Sequence, residues 1–216
     1  MKLAQNDKLV FIGDSVTDCG RTRPVGEGSM GLGNGYVYHV DALLQSVYPE
    51  LNTRVINVGI GGNNVRDLKN RWQEDVLDLQ PDWLSVMIGI NDVWRQFDSP
   101  QRRELHVFLD EYEATLRELV ASVRPQVKGL VLMTPYYLEP SIEDPMRSTM
   151  DLYGAAVKRV AEEYDAVFVD TQAAYEPLWK QLYPGAIAWD RVHPNHTGHM
   201  VLARAFLNSI GFDWNK

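Results

Sequence analysis

The sequence is poor in cysteine and in long apolar runs, and each shortage excludes a class of protein. Cys19 is the only cysteine among 216 residues, so no disulfide can form within the chain. No apolar run approaches the roughly 18 residues that a membrane-spanning helix needs. The polar start, Met1 to Lys8, lacks the charged beginning, long apolar middle and cleavage site of a signal peptide. We therefore expect a cytoplasmic protein with no membrane association.

The sequence also lacks an excess of basic residues. It has 21 Lys and Arg against 29 Asp and Glu, a net charge of −8 at pH 7. A protein that binds nucleic-acid phosphates normally carries a basic surface, so this charge argues against a nucleic-acid partner. A neutral or cationic small molecule suits the charge better. Six Trp and ten Tyr leave an aromatic interface, and so a homo-oligomer, open.

No repeat, low-complexity tract or linker divides the chain, and its length suits one domain over 1–216. Short apolar runs alternate with longer amphipathic ones. The apolar runs predict five strands, because strands buried on both faces of a sheet are almost continuously apolar. They are Leu9–Ile12, Arg54–Asn57, Trp83–Ile88, Gly129–Met133 and Ala166–Val169.

The amphipathic segments between these strands predict helices. They are Tyr36–Val47, Val65–Leu79, Glu104–Arg124, Pro145–Tyr164, Thr171–Tyr183 and Thr197–Ile210. Strands that alternate with helices predict an α/β fold, with helices on both faces of a parallel sheet. In such folds, sites form in the loops that follow the carboxyl ends of the strands.

The loop after the first strand contains a candidate nucleophile, Ser15, in the stretch Gly-Asp-Ser-Val-Thr. Thr17 stands where the Gly-x-Ser-x-Gly elbow of the α/β hydrolases has its last glycine. Taken alone, the stretch is better explained as a turn that caps the next helix. A serine nucleophile needs a base, and the base needs an orienting group. Asp190 and His193 lie three residues apart in one loop and suit both roles, although a surface loop before a helix explains that segment equally well.

Two further loops contain candidate donors for the negative oxygen that forms in acyl transfer. Gly62 belongs to a glycine-rich stretch after the second strand, and glycine lets a backbone N–H approach a substrate closely. Asn91 follows the third strand in Gly-Ile-Asn-Asp, and its side chain supplies a neutral N–H donor. Glycine-rich turns and Asn-Asp helix caps are common, so neither segment is decisive alone.

Together the four segments resemble the Ser, Gly, Asn and His blocks of the GDSL/SGNH hydrolase family, over nearly the whole chain. The resemblance implies a flavodoxin-like, three-layer α/β/α sandwich with a five-stranded parallel sheet. It also implies a serine esterase without metal or other cofactor. Carried over to this sequence, Ser15, Asp190 and His193 match the catalytic triad. The backbone N–H groups of Ser15 and Gly62 and the side chain of Asn91 match the oxyanion hole.

The stretches 11–21, 89–96 and 189–194 are similar to those of the acetylxylan esterases in this family. This similarity implies a small acetylated sugar as substrate, and imported xylo-oligosaccharides suit a cytoplasmic enzyme. Further candidate substrate contacts are polar and aromatic residues near the same loops: Asp14, Asp92, Trp94, Arg95, Tyr136, Tyr137 and Trp189. A lipase-like or thioesterase-like acyl hydrolase remains an alternative, as does a non-catalytic carbohydrate-binding protein.

Two other chemistries are disfavoured by spacing. His193, His196 and His199 invite a metal site, but their spacing of three differs from the four of zinc-binding helices and Pro194 interrupts the run. We therefore expect no metal. Cys19 is a rival nucleophile, although a small buried side chain is the more ordinary role for it.

Overall fold

The sheet contains all five predicted strands. The structure, a computed structural model, describes residues 1–28 and 30–216. Its strands are β1 (Lys8–Gly13), β2 (Gly26–Glu27), β3 (Arg54–Asn57), β4 (Trp83–Met87), β5 (Gly129–Met133) and β6 (Val167–Val169). Their order in the sheet is β2-β3-β1-β4-β5-β6. Every pairing is parallel except that of β2 with β3, so the predicted parallel sheet is confirmed with a short antiparallel edge added.

The central strands are apolar because helices cover both of their faces. In β1, the four residues from Leu9 to Ile12 have no exposed surface. Val10 pairs with Ile56 of β3 on one side and with Leu84 of β4 on the other. Side chains alternate between the two faces of a strand. A run that is buried throughout therefore feeds both halves of the core.

The helices are α1 (Ser15–Asp18), α2 (Tyr36–Val47), α3 (Val65–Trp72), α4 (Ile90–Asp98), α5 (Leu109–Val123), α6 (Pro145–Glu163), α7 (Thr171–Tyr175) and α8 (His196–Ser209). Helix α2 packs with α8 and α8 with α7, whereas α5 packs with α3 and α6, and α6 with α4. These two groups form the outer layers of the predicted α/β/α sandwich. Within the described residues, no helix is long and apolar enough to cross a membrane.

Three helix predictions differ from the structure. The predicted helix Glu104–Arg124 begins only at Leu109, because a single turn at Arg103–Leu105 and an extended Phe108 precede it. Helix α3 ends at Trp72 and continues as a wider π turn to Leu77. Only Thr171–Tyr175 of the segment predicted to reach residue 183 is α-helical.

The strand order places a crevice at the carboxyl ends of β1 and β4. From β1 the chain moves to β3 on one side and then returns to β4 on the other. The connections after β1 and β4 therefore diverge to opposite faces of the sheet. Open α/β sheets bind ligands at such a switch point.

Candidate active site

Ser15 lies at the carboxyl end of β1 as the first residue of α1. The carboxylate of Asp14 caps this short helix by accepting a hydrogen bond from the backbone N–H of Val16, at 2.9 Å. The first N–H groups of a helix have no partner within it. The backbone N–H of Ser15 is therefore free of helical bonding. Its hydroxyl Oγ lies 2.8 Å from Nε2 of His193.

The loop that precedes α8 holds His193 through Asp190. Oδ1 of Asp190 accepts the backbone N–H groups of Val192 and His193, and Oδ2 lies 2.6 Å from His193 Nδ1. An ionised carboxylate only accepts hydrogen bonds, so Nδ1 carries the proton and Nε2 is left to accept one from Ser15. Partial burial raises the pKa of Asp190, but the hydrogen bonds from His193 and Val192 outweigh this effect and lower it. Asp190 is therefore charged at neutral pH.

Two hydrogen bonds fix the side-chain amide of Asn91. Its Nδ2 donates to the carbonyl oxygen of Asn63 at 2.9 Å, and its Oδ1 accepts from the guanidinium of Arg95 at 3.0 Å. A carbonyl cannot donate and a guanidinium cannot accept, so the amide has one permitted orientation. One N–H of Nδ2 is used by Asn63, which leaves the second available to a substrate oxygen.

The structure requires glycine at two positions in these loops. Gly89 precedes α4 with φ of +130°, and a Cβ there would lie 2.8 Å from Cγ of Pro135. Gly62 has φ of +83°, but a Cβ there would meet no atom within 4 Å. The protein itself therefore requires Gly62 for its backbone conformation and not for lack of space.

Two charged residues that the sequence reasoning missed join the loops. Arg71 of α3 donates to the carbonyl oxygens of Gly13 and Val58 and to Oδ1 of Asn63, at 3.0, 2.6 and 2.7 Å. It thus ties the Ser15 loop to the loop that contains Gly62. Asp18 accepts the backbone N–H of Gly61 at 3.0 Å. Neither residue leaves a local sequence pattern, because its partners lie between eight and 58 residues away along the chain.

Three of the expected substrate contacts are buried. Asp14 and Asp92 have no exposed surface, and neither does Tyr136, whose hydroxyl donates to the carbonyl of Val192 at 2.9 Å. Direct contact with a sugar is therefore wrong for these three. Burial raises the pKa of Asp14 to about 6 and that of Asp92 to about 7. Each keeps one oxygen without a hydrogen-bond partner among the described residues.

The other four expected contacts are accessible. Trp94 and Arg95 lie on α4 and not in a loop, and the Arg95 guanidinium stacks 4.9 Å from the Trp94 ring centre. The Trp94 ring lies 5.7 Å from that of His193, centre to centre. Tyr137 is half-buried, and Trp189, directly before Asp190, is 87% exposed. Trp94 is thus the aromatic side chain that the structure brings against the catalytic candidates.

The three histidines of the C-terminal run have different surroundings. His196 packs against His39, with ring centres 5.8 Å apart. The backbone N–H of Tyr36 donates a hydrogen bond to Nδ1 of His199. The ring proton of His199 therefore lies on Nε2, which is 3.4 Å from Sγ of Cys19. Burial lowers the pKa of His199 to about 4, so it is neutral. In residues 1–28 and 30–216, no three His, Cys, Asp or Glu side chains form a group that could hold a metal ion.

The chain matches the model of a known protein family over most of its length. Residues 11–201 match the model of the GDSL-like lipase/acylhydrolase family. The chain belongs to this family. The predicted membership is thereby confirmed, and so is the predicted SGNH hydrolase fold. The family is hydrolytic, and the protein is accordingly a carboxylic ester hydrolase.

Relatives match over almost the full length of the chain. An acetylxylan esterase from Geobacillus stearothermophilus is 64% identical over 99% of this chain and 98% of its own. Its crystal structure, that of Axe2, superposes with a TM-score of 0.98. LAE5, an alpha/beta hydrolase enzyme from the metagenome of Lake Arreo in Spain, is 49% identical over 98% of both chains, with a TM-score of 0.96.

Proposed function

We propose that the protein removes acetyl groups from short xylo-oligosaccharides through a covalent acyl-enzyme on Ser15. The observation that carries this proposal is the hydrogen-bonded chain from Ser15 through His193 to Asp190. Its geometry leaves Nε2 as acceptor for the serine proton, which a hydroxyl nucleophile needs at neutral pH. The sugar substrate rests on the similarity to the Geobacillus acetylxylan esterase.

In the first step, Oγ of Ser15 attacks the acetyl carbonyl carbon while its proton moves to Nε2 of His193. The carbonyl oxygen gains negative charge and is met by donors aimed at it: the N–H groups of Ser15 and Gly62 and the free N–H of Asn91. The C–O bond to the sugar then breaks, and His193 returns the proton to the sugar oxygen. The ionised Asp190 stabilises the charged imidazole between these two transfers.

In the second step, water takes the place of the sugar. His193 accepts its proton, the hydroxide attacks the acyl carbon, and the bond to Oγ breaks as Ser15 regains a proton. Acetate and the free enzyme result. Each step needs His193 neutral at its start, because only an unprotonated Nε2 can accept the proton of the attacking hydroxyl or water.

The test is a comparison of kcat/KM on acetylated xylobiose, on p-nitrophenyl octanoate and on acetyl-CoA. We expect the acetylated sugar to be preferred, because it combines a small acyl group with a neutral polar alcohol. A preference for the octanoate or the thioester would support the lipase-like or thioesterase-like alternative. No hydrolysis of any ester would contradict the proposal in full.

A further inference from the structure

A cleft opens beside the catalytic loop between α4 and the start of α6. It has a volume of about 400 Å³ and is lined by Trp94, Phe97, Tyr137, Met146, Asp98 and Asp144, with Pro145. We call it the Trp94–Phe97 cleft. Small-molecule sites typically have volumes of about 300–1,000 Å³, so the cleft is large enough for part of a substrate.

The position of Trp94 relates this cleft to the alcohol part of the ester. The oxyanion must point toward the donors of Ser15, Gly62 and Asn91, whereas the departing alcohol oxygen must reach the proton on Nε2 of His193. The Trp94 ring lies 5.7 Å from the His193 ring and forms one wall of the cleft. An alcohol held by His193 therefore has its next atoms beside Trp94, at the entrance of the cleft.

The lining suits an uncharged sugar. Trp94 and Phe97 offer aromatic surface, and Phe97 is 40% exposed although it is apolar. Both charged lining residues are acidic. Asp144 caps α6 through Oδ1, which leaves Oδ2 able to accept a hydrogen bond from a sugar hydroxyl. Arg95, which pairs with Asp98, stacks on Trp94 and stiffens that wall.

We propose that the Trp94–Phe97 cleft is a subsite for a neutral xylosyl unit next to the acetylated one. This inference rests on the proposed function, since it needs an oligosaccharide as the alcohol part. The sugar ring lies on the aromatic surface, its hydroxyls donate to the carboxylates, and anionic alcohols are repelled. The subsite selects oligosaccharides over acetylated monosaccharides.

The test compares Phe97→Ala with wild type on acetylated xylotriose, acetylated xylose and p-nitrophenyl acetate. Losing one aromatic stacking surface should raise KM for acetylated xylotriose roughly tenfold relative to acetylated xylose, with a smaller change in kcat. The control is Phe108→Ala, which removes another exposed aromatic ring, at 59% exposure, before α5. It should keep the wild-type preference for the longer sugar.

A second measurement uses a sugar that carries no acetyl group. Unacetylated xylotriose should inhibit p-nitrophenyl acetate hydrolysis competitively, with an inhibition constant roughly tenfold higher in Phe97→Ala. If Phe97→Ala unfolds, Phe97→Leu takes its place, because leucine keeps more of the buried apolar surface. The inhibition constant should then rise by a smaller factor. If wild type prefers acetylated xylotriose and both variants keep that preference, the subsite is wrong and the proposed function stands. If wild type prefers the octanoate, the proposed function fails, and the subsite with it.

Discussion

Replacing Asn91 by alanine removes one of three expected oxyanion donors without touching Ser15 or His193. Of the two N–H groups on Nδ2, one bonds the Asn63 carbonyl at 2.9 Å, so only one remains for the substrate. Removing a single oxyanion donor lowers kcat by about 10²–10³, or roughly 2.7–4 kcal/mol. KM should change little, because the charge on the oxygen develops only on the way to the transition state.

The variant should still fold. Asn91 is 2% exposed and makes two hydrogen bonds, to Asn63 and from Arg95. A typical net contribution of about 1 kcal/mol for each bond gives a loss of about 2 kcal/mol. Domains of this kind have about 5–15 kcal/mol of unfolding free energy. A urea titration should therefore show a stable, cooperatively folded variant.

The assay is steady-state hydrolysis of acetylated xylobiose, with kcat and KM determined separately. Asn70→Ala is the matched control, because it removes the same side-chain amide from an exposed position in the second half of α3. It should leave both constants unchanged. A change in KM alone for Asn91→Ala, or a loss below about fivefold in kcat, would refute the assigned donor role.

Three further outcomes follow from the geometry. Asp190→Asn should lower kcat by about 10⁴, because an asparagine at this position favours the wrong tautomer of His193. Steady-state turnover measures this loss, and near-wild-type activity would contradict the triad. Arg95→Met should lower kcat by roughly tenfold by freeing the Asn91 amide to rotate, with KM on p-nitrophenyl acetate unchanged; an effect on KM alone would instead indicate a substrate contact. Asp92 should make stability depend on pH. The folded protein holds its proton up to about pH 7, whereas the unfolded chain releases it near 3.8. Raising the pH from 4 to 7 should therefore destabilise wild type relative to Asp92→Asn, by up to about 4 kcal/mol, with no further change above that range. Urea titrations of both proteins across this range measure the difference, and a pH-independent difference would contradict it.

The parallel strands were predictable because burial on both faces leaves an uninterrupted apolar run. Strand β2 was not, because it consists of Gly26 and Glu27 alone and exists through pairing with β3. Helix α4 was missed although Ile90, Val93, Trp94 and Phe97 have helical spacing. Its Asn-Asp start favours a cap or a turn and concealed that pattern.

In the site, too, the features that depend on neighbouring residues were predictable, whereas those that depend on contacts between distant residues were not. Asp190 and His193 are close in sequence, and the loops with Ser15, Gly62 and Asn91 all follow strands, so their grouping was predictable. The role of Arg71 was not, because it depends on the reach of one side chain to two loops. Burial of Asp14, Asp92 and Tyr136 was equally hidden, since a polar residue after a strand is ordinarily expected to face solvent.

Ser15 is the proposed nucleophile, and the turnover of acetylated xylobiose by Ser15→Ala tests this role. Removing Oγ leaves His193 and Asp190 in place but gives the acetyl carbon no nucleophile on the enzyme. We predict a loss of about 10⁴-fold or more in kcat with the fold retained, while Cys19→Ala stays close to wild type. Retention of more than about a tenth of wild-type turnover by Ser15→Ala would contradict its role as nucleophile.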